Sequence, residues 1–567
     1  MASQNPPQIL PIAQMIEAWV DAKFYSTPIP HQILDVSLWH LLTVCEDMAR
    51  MHLSGTIEKP PNSIDQFIDE LKYSMKHCTQ RVLKEAKYTE KYPLPKKTDP
   101  KIYSKCGELI TAGLWYAAMV RILSSHHEGQ SKIETNSQGQ HWIVNLPKYD
   151  IRYSVLEMLN HGLEPTFDIT TLVMRLLRGI DDSPELDAVF DPSTRIRNGR
   201  VNYRYEVGGI HHLFQIVPQR LIVIPNNFRF AWGNGRDTQA LINSLQIRCA
   251  YHILCINFAA NKFLTRGGFE SSLVLVLSKE ELIHDLAYLA DFGDERISQF
   301  IDFLTLGLST ESPDLALQPL VRAANGLYML PCEFIISNDL QRNILSLMAR
   351  VLKKDFDGQS NLFEQGMLTR LIDASSRWTT YMENKTFRAG GQKEEIDLLL
   401  VDKESKLLLS IECAWMLQPG DPREVFNRLK TCAKKVDQIE RKRNFLRKNL
   451  LEIFRILSLD PAEVDQWAVE GFVVIEGFGG QKSRAADLPV VSMGALTVAF
   501  AECESLSAVY RWARSLEWLP QPGNHFTPCD DALETLPVQL YRPGFFLIGN
   551  KARYVDHIRE TARRVQT

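Results

Sequence analysis

The sequence carries no strong charge of either sign: 64 Lys and Arg stand against 68 Asp and Glu, a formal net charge of -4. That balance gives no global sign of nucleic-acid affinity, so any basic surface must be local. Paired cysteines are also missing. The 10 present are scattered with no C-x-x-C and no recurrent spacing, which excludes a disulfide framework or an ordinary zinc cage and reads as reduced thiols. The opening "MASQNPPQILPIAQMIEAWV" has no basic segment followed by an apolar core, and no uncharged apolar run approaches the roughly 18 residues that cross a bilayer. The expected location is the cytoplasm, with no membrane partner. There is no P-loop, dinucleotide fingerprint, H-E-x-x-H or G-x-S-x-G, and no internal repeat. His211-His212 lacks a third ligand at metal spacing and reads as packing or a surface pair.

What is present is a long chain of ordinary apolar content, 567 residues with 45% hydrophobic, which predicts several domains. Residues 1–200 read as helix-rich, with three- and four-residue apolar spacing in "ILDVSLWHLLTVCEDMARMHL" and "CGELITAGLWYAAMVRIL". Residues 201–350 read as mixed, with β-branched alternation in "RLIVIPNNFRF" before helical texture returns. A third domain is expected over 351–530, and 531–567 reads as a C-terminal tail. The expected fold class is a multidomain α+β or α/β chain.

Within 351–530 the order reads helix (about 362–376), short strand (about 384–388), two strands joined by "DKESK", a long basic helical stretch, and a strand in "GFVVIEGF". The two joined strands, "EEIDLLLVDKESKLLLSIECAW", hold Asp397 near the start of one and Glu412 near the end of the other. A carboxylate inside such an apolar run requires a cation or a metal. In an antiparallel pair those two ends meet. By strand parity Glu412 and residue 414 share a face, and Cys413 points to the other.

That order, with acids at these positions, resembles the core of the PD-(D/E)XK superfamily, the restriction-endonuclease-like nucleases, over roughly residues 350–520. The resemblance implies an αβββαβ core and Mg²⁺- or Mn²⁺-dependent cleavage of phosphodiesters. Matched residue by residue, Glu364 is the helical acid, Asp397 and Glu412 are the metal-binding acids, the Cys413 backbone carbonyl is a further ligand, and Gln438 is a helical glutamine kept by some members. Glu395 shares the face of Asp397 and is a candidate outer ligand. The departure is the missing lysine: Ala414 stands where the family pattern has Lys. Three explanations follow. The lysine was removed from this chain, so that Ala414→Lys restores cleavage; its role passed to Lys430, Lys434 or Lys385; or the domain is a pseudonuclease that binds nucleic acid without cutting it.

The helix after the acids is rich in cations, with Arg428, Lys430, Lys434, Lys435, Arg441, Lys442 and Arg443 among them. Beside a metal site this reads as a phosphate-binding face. The expected function is thus a metal-dependent endonuclease acting on DNA ahead of RNA. A role in bacterial defence is an analogy at the level of fold. The N-terminal region is the expected place for a partner protein or a second copy, and the alternative function is a non-catalytic nucleic-acid-binding or scaffold protein.

Overall fold

The computed structural model describes residues 12–53, 64–90, 92–145, 150–160, 184–197, 200–206, 208, 224–262, 269–376, 380–535, 538–548 and 551–565. His211-His212 and "RLIV" at 220–223 lie outside them. The chain is a mixed α+β protein with several separate sheets. It divides into two compact units, Met1–Ile122 with Thr166–Gln359, and Leu123–Pro165 with Ser360–Thr567.

The first unit is built from helices around two apolar cores and a small sheet in which Val274–Leu277 and Val321–Arg322 flank Tyr328–Pro331. Among the described residues of the stretch expected to alternate between 201 and 232, the strands are Arg200–Asn202 and the two-residue Arg229–Phe230, which pairs with Gly233–Asn234. Helix Pro100–His127 is long and apolar enough to cross a membrane by length and composition, and 44% of its most apolar window is buried. Its Cys106, Leu109 and Ile110 pack into a core with Leu71, Met75 and Cys78.

The second unit carries two sheets. The stretch from 131 to 145 lies within the region read as helix-rich, yet it forms β1 (Ser131–Thr135) and β2 (His141–Asn145), an antiparallel hairpin. Its signal was the alternation in "HWIVN" next to the turn residues "NSQG". Next comes α1 (Ile151–Asn160). After the return of the chain come α2 (Asn361–Ser375), β3 (Thr380–Ala389), β4 (Gln392–Asp402), β5 (Leu407–Trp415), α3 (Pro422–Lys448), α4 (Leu450–Ile456) and β6 (Ala468–Glu476). β7 (Val490–Ser492), α5 (Met493–Glu502), α6 (Leu506–Ser515), β8 (Phe526–Thr535), β9 (Val538–Leu547) and α7 (Lys551–Arg564) complete the unit. The expected tail is therefore structured: β8 and β9 join the sheet of β1 and β2, and Tyr554, Ile558 and Ala562 of α7 are core residues.

The five-stranded sheet has the order β3-β4-β5-β6-β7. Gly390 and Gly391, at φ +55° and +74°, make the two-residue turn between β3 and β4, a conformation that glycine adopts without strain. Asp402 accepts N–H bonds from Glu404 and Ser405 and so shapes the turn into β5. β5 and β6 are parallel, and α3 is part of the crossover that this pairing requires. As the central strand β5 is buried on both faces: Leu407, Leu409, Ile411 and Cys413 face one core, and Ala414 faces Cys432, Val436 and Ile439 of α3. That explains a nearly continuous apolar run in which the polar exceptions are conspicuous.

Candidate active site

Helix α3 starts at a well-defined cap, with the Asp421 carboxylate accepting the Glu424 N–H at 2.8 Å and Pro422 at its first turn. Its apolar stripe of Cys432, Val436 and Ile439 lies on the sheet, which turns Lys435 and Lys442 toward the polar end of β5. Residues 435, 438 and 442 fall within two turns on one side of the helix.

The β4–β5 ladder ends at Leu398 opposite Ile411. One residue further the Asp397 side chain takes over: its Oδ2 accepts the Cys413 N–H at 3.1 Å. The N–H and C=O of a strand residue point to the same side, so the Cys413 carbonyl faces this edge as well. Asp397 Oδ1 accepts from Lys442 Nζ at 2.8 Å, and the same ammonium donates to Glu412 Oε2. Lys435 Nζ donates to the other oxygen of Glu412, Oε1, at 2.9 Å. The Glu412 and Lys442 side chains are only 3% and 7% exposed, and that of Lys435 is 19% exposed.

Electrostatically this is a cluster of two acids and two cations in a poorly solvated place. Burial, then repulsion from Asp397, pushes the Glu412 carboxyl up against the pull of the two lysines. Burial pulls on Lys435 and Lys442 in the opposite sense, but the neighbouring carboxylates outweigh it and hold both ammoniums above their ordinary range. Glu364 on α2 belongs to the same field. Burial raises it, Lys435 and the Trp415 backbone act the other way, and Asp397 and Glu412 add to the rise. Phe363, its neighbour, stacks on Trp415 at 3.8 Å and fixes this end of α2 over β5.

The comparisons with known proteins add nothing to this geometry. No protein-family model, curated protein or solved structure matches the chain.

The structure thus brings Glu364, Asp397, Glu412 and the Cys413 backbone to one region, leaves Gln438 on α3 with a buried Oε1 that has no partner among the described residues, and gives the cations new parts. Lys435 and Lys442, read as phosphate-binding, are ion-paired to the acids. Arg443 is buried and pairs with Asp487 at 2.6 Å, Arg441 pairs with Glu394 at 2.8 Å, and Arg428 donates to the Leu417 carbonyl at 2.8 Å. Of the seven cations, only Lys430, over the Phe426 ring at 4.1 Å, and Lys434 are exposed without an ion pair among the described residues. Lys385 lies exposed on β3, opposite Ile396, and Glu395 is exposed too. Ala414 is 1% exposed in the apolar contact between β5 and α3. Sequence reasoning placed Lys435 and Lys442 among the phosphate-binding cations and did not foresee their pairing with the acids. Their seven-residue spacing on one helix face was the available signal.

Among the described residues no group of three or more His, Cys, Asp or Glu is arranged to hold a metal ion. The donors that do converge are hard oxygens, Asp397, Glu412 and the Cys413 carbonyl, which suit Mg²⁺ or Mn²⁺. The cation between the two carboxylates is the Lys442 ammonium.

Proposed function

We propose that residues 360–515 form a restriction-endonuclease-like nuclease domain whose lysine comes from helix α3 in place of the strand position held by Ala414. The observation that carries the reading is the convergence of Asp397 and Glu412, from adjacent strands, on one cation with a second lysine on Glu412. The order α2-β3-β4-β5-α3-β6 and the position of Glu364 beside the acids support it.

In this mechanism Asp397, Glu412 and the Cys413 carbonyl would hold the divalent cation, with Glu364 as a supporting acid. When bound, that ion supplies Lewis-acid stabilisation of the pentavalent phosphate and acidifies a water. Lys435 is the more exposed of the two lysines and lies toward Glu364, so its ammonium faces the incoming phosphate and stabilises the charge that develops there. Lys430 and Lys434, on the outer face of α3, hold the nucleic-acid backbone electrostatically. The substrate is nucleic acid, with DNA ahead of RNA.

A second reading, a pseudonuclease that binds without cutting, is favoured by the internal neutralisation of the acids by Lys435 and Lys442. The deciding experiment incubates purified protein with single- and double-stranded DNA and with RNA in Mg²⁺ or Mn²⁺. The nuclease reading expects cleavage that is lost in Asp397→Ala and falls about a hundredfold in Lys435→Ala, the usual effect of removing one preorganised charge-stabilising group. Binding without cleavage on every substrate selects the pseudonuclease.

A further inference from the structure

We infer that Lys442 is a built-in counterion that competes with a divalent cation for Asp397 and Glu412, so that metal entry and release of the Lys442 ammonium are one event. The inference rests on reading the acid pair as a cation site. The four carboxylate oxygens divide into two kinds. Asp397 Oδ2 is fixed by the Cys413 N–H at 3.1 Å and Glu412 Oε1 by Lys435 at 2.9 Å. The remaining two, Asp397 Oδ1 and Glu412 Oε2, are aimed at a single point, and Lys442 Nζ occupies it. A divalent ion of this class binds oxygen at about 2.1 Å, closer than an ammonium does, so the two cannot share the point.

A displaced ammonium needs a new acceptor, and α3 provides one. Gln438, one turn before Lys442 on the same side of the helix, has a buried Oε1 with no hydrogen-bond partner among the described residues. An orphaned acceptor costs stability where it is buried, which calls for an explanation beyond packing. Here it is a landing place for Lys442 Nζ once the acids are taken by the metal. The arrangement keeps the acids neutralised while no metal is bound and moves a cation when one arrives.

The test is a Mn²⁺ titration of the full-length protein, read by calorimetry and by the shift in Tm, for wild type, Lys442→Met, Lys442→Gln and Lys435→Met. Removing a positive charge that abuts the ion should tighten Mn²⁺ binding by about tenfold or more in Lys442→Met. Lys435→Met should give a smaller gain, and adding Asp397→Asn to Lys442→Met should abolish the tight site. Equal or weaker binding by Lys442→Met overturns the inference. If either Lys442 variant is unstable in EDTA, Mn²⁺ should restore it and raise its Tm by more than it raises that of wild type, and failure to do so overturns the inference equally. Cleavage measured in parallel separates the two claims. Tight Mn²⁺ binding by the variant with no cutting by any form retains the counterion and removes the nuclease, whereas cutting by wild type with no tighter binding by the variant does the reverse.

Discussion

Ala414 is packed so closely under α3, against Cys432, Val436 and Ile439, that it argues against a lysine simply missing from position 414. A four-carbon side chain with a charge at its end would have to enter an apolar contact already filled. Ala414→Lys should therefore destabilise the protein by about 1–3 kcal/mol from overpacking alone, measured by urea denaturation, and should not increase cleavage. Glu412 presents the opposite case. Its removal takes the carboxylate partner of Lys435 and leaves the buried Lys442 ammonium with Asp397 alone, so Glu412→Ala should cost about 3 kcal/mol in the same measurement, the lower end for broken buried pairs. A Glu412→Gln variant, which keeps the hydrogen-bond acceptor, should lose less.

Helix α3 combines three jobs that its sequence does not separate. One stripe packs on the sheet, a second carries Lys435 and Lys442 to the acids, and the outer face presents Lys430 and Lys434 to solvent. Charge reversal on the outer face, Lys430→Glu with Lys434→Glu, should weaken nucleic-acid binding and flatten its salt dependence by about 0.9 in the log-log slope for each phosphate left without its cation. Arg443→Ala should leave that slope unchanged and instead lower stability by about 1.5–3 kcal/mol, because its guanidinium is buried on Asp487 and Glu470. Running both variants through one filter-binding and one denaturation series distinguishes the surface cations from the structural ones.

For the molecule as a whole, the second unit draws on two separated parts of the chain. Tyr153, Val155, Leu156 and Leu159 of α1 lie in the same core as β5, α5 and α7. Side chains of this kind contribute about 1.5–3 kcal/mol each on burial, a sum comparable with the whole stability of a domain. Residues 360–567 expressed alone should accordingly unfold or aggregate, and residues 123–165 joined by a flexible linker to residues 360–567 should show a cooperative thermal transition by circular dichroism. The first unit carries a pH signature. Burial raises Glu333 from the ordinary 4.5 to about 7, with Arg50 opposing, so folding favours the protonated carboxyl. Its contribution is full below pH 4.5 and is lost as pH rises to about 7. Glu333→Gln should reduce that loss by on the order of 3 kcal/mol in denaturation series at pH 4.5 and 8. Glu46, raised by burial and by Glu333 while it accepts the Glu333 and Phe334 N–H groups, retains the remainder of the pH dependence.

By itself the sequence determined what is periodic or local: the helix at 361–375, the two joined strands with acids at their meeting ends, the parity that sets Glu412 apart from Cys413, and the long helix that follows. Alternation and turn chemistry act over a few residues, so they can be read from one stretch of chain. Tertiary structure decided everything that joins distant stretches. It alone attached residues 131–145 to 540–541, and it closed α3 over Ala414. A run of basic residues looks the same in one dimension whether it faces phosphates or buried carboxylates. Only the crossover that lays α3 across β5 turned Lys435 and Lys442 inward, because a buried carboxylate requires a cation and these were the two that the helix face could deliver.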